Sequence, residues 1–182
     1  MAGWRYDDGP GGRFPDRPSQ RLRYGSDVPQ SGPSDLRELV AELHAIALSV
    51  IRKDGEHAPM FFLRMPDGSV KVEDFDDAFE RPVGEARMRQ VAGAIRRTGA
   101  DAVVVVSEAW SSSPDEIPRG GLPGDARDAR DVLVVAALDR TGHEVLLMTD
   151  LLRRADGSVE IGESEQGGRA VMFDELRNAW GR

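Results

Sequence analysis

Ser107, Glu108 and Trp110 follow four consecutive valines in AVVVVSEAW, residues 102–110, and with three solitary histidines they are the side chains best suited to chemistry. A serine nucleophile needs a base to take its proton and a third group to orient that base. Ser107 would therefore work with His57 or His143, oriented by Glu108 or an aspartate. Such a site requires a sharp turn that exposes the hydroxyl and amides aimed at the oxyanion. Val106 and Glu108 flank Ser107 where a nucleophile elbow would carry G-x-S-x-G. A metal centre would draw on His57, Glu108 and Asp150. Yet His44, His57 and His143 stand singly, without the H-E-x-x-H or H-x-H spacing that marks a zinc hydrolase. His57, in HAPM, reads as a residue entering a strand. RGGLPG at 119–124 lacks the Lys-Ser/Thr of a phosphate loop.

What remains is Glu108 beside Trp110. A carboxylate at the end of a strand buried on both faces is costly unless partnered, whereas tryptophan supplies a large apolar contact and one donor. The structural expectation pairs Glu108 with an arginine from the long connection that follows and has Trp110 cap the core. The functional expectation makes Glu108 and Trp110 the floor of a binding groove under that connection. With no established catalytic, metal or cofactor signature, the chain reads as a non-enzymatic interaction or regulatory domain. It would bind a protein partner or a second copy of itself, and no cofactor or metal is expected. The alternative is a small hydrolase or metal-dependent enzyme using Glu108 with His57 or His143.

Composition narrows the classes. A formal charge of −8 opposes duplex nucleic-acid binding, which draws most of its non-specific affinity from neutralising phosphates. The absence of cysteine excludes disulfides, thiolate metal sites and cysteine nucleophiles. No apolar run approaches the roughly 20 residues that span a bilayer, and no secretory signal layout opens the chain, so a cytoplasmic protein is expected. Lys53 and Lys71 are its only lysines, and abundant Arg, Ala, Gly and Asp suggest a GC-rich bacterial source.

Residues 1–33 are dense in Gly and Pro, with Trp4, Tyr6, Phe14 and Tyr24 interleaved among Arg5, Arg13, Arg17, Arg21 and Arg23. They read as a disordered leader or a docking tail. Pro33-Ser34-Asp35 predicts a helix start with Ser34 or Asp35 as the N-cap, and the Asp35 choice puts Glu38 three residues on, completing a capping box. Leu36, Leu39, Val40, Leu43, Ile46, Ala47, Val50 and Ile51 carry the helix to Gly55. Asp67-Gly68 and Asp156-Gly157 predict hairpins within FLRMPDGSVKV and LLRRADGSVEI, a likeness that reads as convergence on good turn chemistry. Phe75 and Phe79 predict one acid-rich helical turn, and Met88, Val91, Ala92 and Ile95 a second helix from Pro82 to Gly99.

The valine tract predicts a buried central strand. Residues 111–130 form a long flexible connection, a flap or disorder. Strands over 132–138, 143–152 and beyond Gly157 then make an antiparallel meander. A polar loop over 163–169 follows, and Phe173, Leu176 and Trp180 predict a short closing helix. The fold class is α+β, one domain over 34–182. Five or six mainly antiparallel strands are packed by two long helices and the short one, in the order α-β-β-α-β-β-β-(β)-α, with helices on one face. That order is similar, in topology alone, to roadblock and longin-type regulatory domains, whose sequence motifs are missing here.

Overall fold

A computed structural model describes residues 35–74, 84–121, 123–167, 170, 173–174 and 176–181. Helix α1 spans Leu36–Asp54. Asp35 caps it, its Oδ1 accepting the Arg37 amide at 2.9 Å, so the cap bond goes to the second helical position rather than to the third that a capping box uses. Gly55 ends it at φ 83°, its N–H donating to Ile51 O at 2.8 Å, a conformation that costs glycine little.

Strands β1 (Met60–Arg64) and β2 (Val70–Asp74) form the first hairpin, α2 covers Gly84–Thr98, and β3 runs over Ala102–Ser111. Strands β4 (Arg130–Asp139), β5 (Glu144–Arg153) and β6 (Val159–Gln166) complete a six-stranded antiparallel sheet, ordered β2-β1-β3-β4-β5-β6. The α+β class and the meander stand as predicted. Both Asp-Gly turns are built alike: Asp67 Oδ1 accepts from the Ser69 amide and hydroxyl, and Asp156 Oδ1 from those of Ser158.

The sheet is covered on both faces, not one. Val103 and Val105 pack with α2 and with Phe173 and Leu176 of the C-terminal segment, while Val104 and Val106 pack against α1. The valine tract loses its alternation for this reason: each face of β3 meets its own helix, and neither meets water. Phe61 and Phe62 divide between the two cores in the same way.

Three further expectations change. The closing segment holds a 3₁₀ turn, Leu176–Asn178, in place of a helix, anchored where Trp180 Nε1 donates to Ala100 O at 2.8 Å. The 111–130 connection is shortened at both ends by β3 and β4 and folded into 3₁₀ turns at Pro114–Glu116 and Pro123–Asp125. Residues 163–166, expected in a loop, belong to β6. The leader, Pro82 and the Phe75/Phe79 turn lie outside the described residues, while Glu73 and Asp74 end β2. Among the described residues no helix is long and apolar enough to cross a membrane.

Candidate functional site

Adjacent residues on a strand point to opposite faces, and this separates Ser107 from Glu108. Ser107 turns to the α2 side, pairs with Val134 and is 1% exposed, and its Oγ is buried without a hydrogen-bond partner among the described residues. Glu108 turns to the α1 side. Ser107 and Glu108 therefore do not converge with His57 into a nucleophile, base and orienter. His143 sits in the β4–β5 turn, where its amide donates to Asp139 Oδ1 at 3.0 Å. In the β3–β4 register Asp139 faces Ala102 and Leu133 faces Glu108, which puts His143 about 20 Å along the strands from Glu108. Asp150, on the α2 side, pairs with Arg130 at 3.1 Å. Among the described residues no three His, Asp or Glu side chains group to hold a metal: His57 meets Glu108 through its amide, and Asp150 lies on the other face of the sheet.

Glu108 is partnered, but by β5 rather than by the long connection. Its Oε1 accepts the His57 amide at 2.6 Å and its Oε2 accepts from the Arg153 guanidinium. Arg153 also donates through Nε to Asp131 Oδ2 at 2.5 Å and through a terminal nitrogen to Gly55 O at 2.6 Å. One arginine thus ties the end of α1 to three strands. Burial disfavours the charge on Arg153, but the hydrogen bond to Asp131 and the fields of Glu108 and Asp131 outweigh it and raise its pKa. For Glu108 the balance runs the other way. Burial pushes its pKa above the usual carboxylate value, and neither the His57 amide nor an arginine shared with Asp131 offsets that. His57 is 4% exposed, and burial holds its pKa down at about 4 against a hydrogen bond to the Ala58 backbone.

Trp110 does not cap the core. It lies on the α1 side with Glu108, faces Asp131 across the β3–β4 ladder and is 49% exposed. The Pro123–Asp125 turn lies on its ring. A Cβ built on Gly124 would sit 3.3 Å from the indole Cγ, so glycine lets the turn approach closely. The Ser113 amide donates to Asp128 at 2.9 Å and bridges the two ends of the connection, giving this covering a defined shape.

Beside it the sheet forks. Strand β4 follows β3 down to Arg130, and β5 follows β6 down to Arg153, but the β4–β5 register runs only from Leu138↔Glu144 to Val132↔Asp150. A bulge in β6, where Gly162 and Glu163 oppose Asp150 alone, bends that edge away. A Cβ at Gly162 would meet Asp150 Cβ at 2.9 Å, so the bulge needs a glycine there. The fork leaves a shallow groove of about 330 Å³ lined by Arg130, Asp131, Asp150, Leu152, Arg153 and Arg154.

A sequence profile described as bacteriophage lambda protein ea47 matches residues 18–182. The chain belongs to the ea47 family. No curated protein and no solved structure matches it. In this ea47-family chain, the residues that sequence reasoning missed at the site are Asp131, Arg153 and Gly124. Period-two alternation would have separated Ser107 from Glu108 and joined Glu108 to Trp110. No comparable signal singles out Arg153 among so many arginines.

Proposed function

We propose that this ea47-family protein is a non-enzymatic interaction domain that binds a protein partner through Trp110 and the turn-bearing connection above it, with Glu108 setting the shape of that surface from below. The observation that carries this is the half-exposed indole. Six residues of β3 before Glu108 are buried, and Trp110 then presents a large rigid apolar surface beside a defined loop. Exposed tryptophan ringed by polar groups is the composition of a binding hot spot. Glu108 and Arg153 serve as its scaffold: their mutual bonds, with that of Arg153 to Gly55 O, hold β3, β5 and the end of α1 together. A bacterial or phage protein, acting in the cytoplasm on another protein, fits this surface.

The test uses the full chain as bait in an extract of the host cell, with Trp110→Ala and a deletion of residues 112–128 alongside wild type. Capture should weaken in both variants while circular dichroism of the core is unchanged. A complex that survives both changes would contradict the proposed surface.

A further inference from the structure

The sheet ends in β2 on one side and β6 on the other, and these edges differ in whether they suit a second copy of themselves. Strand β6, VEIGESEQ, carries Glu160, Glu163 and Glu165 and no basic residue, so two copies side by side bring glutamates together without a cation from either strand. Strand β2, VKVED, carries Lys71 and Glu73 on the α2 face. Among the described residues no strand lies beyond it. Lys71 is exposed and has no ion pair among the described residues, and Glu73 reaches Arg97 of α2 at 3.7 Å. On the other face Val70 and Val72 pack, partly buried, against the α1 core.

The backbone decides which residues can pair outward. Met65 N–H donates to Ser69 O at 2.8 Å, and on the other side of β1 Arg64 O accepts the Asp101 amide at 2.9 Å. With period two along the β1–β2 register, Ser69, Lys71 and Glu73 turn their backbone groups to β1, and Val70, Val72 and Asp74 turn theirs outward. An antiparallel neighbour must oppose outward-turned residues with outward-turned residues. For a second β2 related by a two-fold axis, this leaves registers of useful length centred on Lys71, Val72 or Glu73. The first sets Lys71 against Lys71 and the last Glu73 against Glu73. The register centred on Val72 sets Lys71 against Glu73 in both halves, at non-hydrogen-bonded positions, where side chains come closest. A lysine at a sheet edge ordinarily blocks pairing. Here the second copy supplies the carboxylate that answers it.

We propose that this chain forms a two-fold dimer by antiparallel addition of β2 to β2 of a second copy, centred on Val72. Lys71 of each copy then faces Glu73 of the other, and Val70 and Val72 extend the α1 cores across the axis. Strands of five residues give a contact about 17 Å long, small against the about 1,000 Å² of a stable interface, so the dimer dissociates on dilution. This edge is separate from Trp110, which lies on β3 with β1 between them, and it stands or falls without that surface.

Sedimentation velocity of the full chain from micromolar to millimolar concentration tests it. Wild type should pass from monomer to dimer over that range, and the Val72 amide should exchange more slowly as concentration rises. Lys71→Glu and Glu73→Lys should each raise the dissociation constant at least about tenfold, because both pairs become like-charge oppositions. The combined Lys71→Glu/Glu73→Lys swap re-forms both pairs with their signs reversed and should return the constant to within about threefold of wild type. Wild type that stays monomeric at millimolar concentration would overturn the proposal. So would a dimer with equal constants in wild type and both single variants, which would assign it to another surface, or a folded swap variant as weak as the singles.

Discussion

Acid should unfold this protein through His57, and by an amount that the structure sets. His57 is buried at the junction of α1 and β1, and its pKa is held down to about 4 from 6.5. The unfolded chain therefore binds a proton at a pH where the folded one does not. Stability from this histidine is fully present above about pH 6.5 and is lost as pH falls toward 4. At pH 4.5 the linkage relation gives a loss of about 2.5 kcal/mol relative to neutral pH. For a domain of this size that is a fall in Tm of about 7 °C.

Glu108 works in the opposite sense. Its raised folded pKa supplies stability that is complete below its unfolded value and is lost as pH rises through the folded one. Wild type therefore shows the sum of the two. A His57→Gln series isolates the histidine: urea midpoints of wild type and variant at pH 4.5 and 7.5 give a difference of differences. That difference should be about 2.5 kcal/mol, with the variant the less acid-sensitive. Equal pH dependence in the two proteins would refute a neutral, buried His57.

Two further substitutions test the structural roles of Arg153 and Ser107. Arg153→Ala removes three charge-assisted contacts and leaves Glu108 and Asp131 half-buried without it. Discounted for the partial exposure of the arginine, the loss should be about 2 kcal/mol in urea unfolding, and a cost under about 0.5 kcal/mol would contradict its role as the tie between α1 and the sheet. Ser107→Ala removes a buried hydroxyl that makes no hydrogen bond among the described residues, so stability should change by less than about 1 kcal/mol in either direction. A large loss would mean that the hydroxyl has a partner.

The local half of this fold is written in short range. The cap at Asp35, the left-handed Gly55, the two Asp-Gly turns and the unbroken valines each depend on neighbours within a few residues, so each could be read directly. Placement of the helices could not. Whether α2 returns to the side of the sheet that α1 covers depends on how β1 comes to lie beside β3, a pairing across some forty residues that no local pattern encodes. The partner of Glu108 was hidden for the same reason. Arg153 is remote in sequence, and its aligned counterpart in the first hairpin, Arg64, bonds instead to Asp101 at 2.8 Å. Trp110 shows a different limit. Its spacing places it on the face of Glu108, but its exposure follows from where the Pro123–Asp125 turn lies, which depends on the packing of a connection without periodicity.

The most direct measurement is the dissociation constant of the captured partner for wild type and for Trp110→Ala, by calorimetry on purified proteins. A central indole hot spot contributes at least about 2 kcal/mol, so the variant should bind thirtyfold or more weakly, by roughly that energy converted at 1.4 kcal/mol per tenfold. Equal constants in the two proteins would contradict a binding surface built on Trp110.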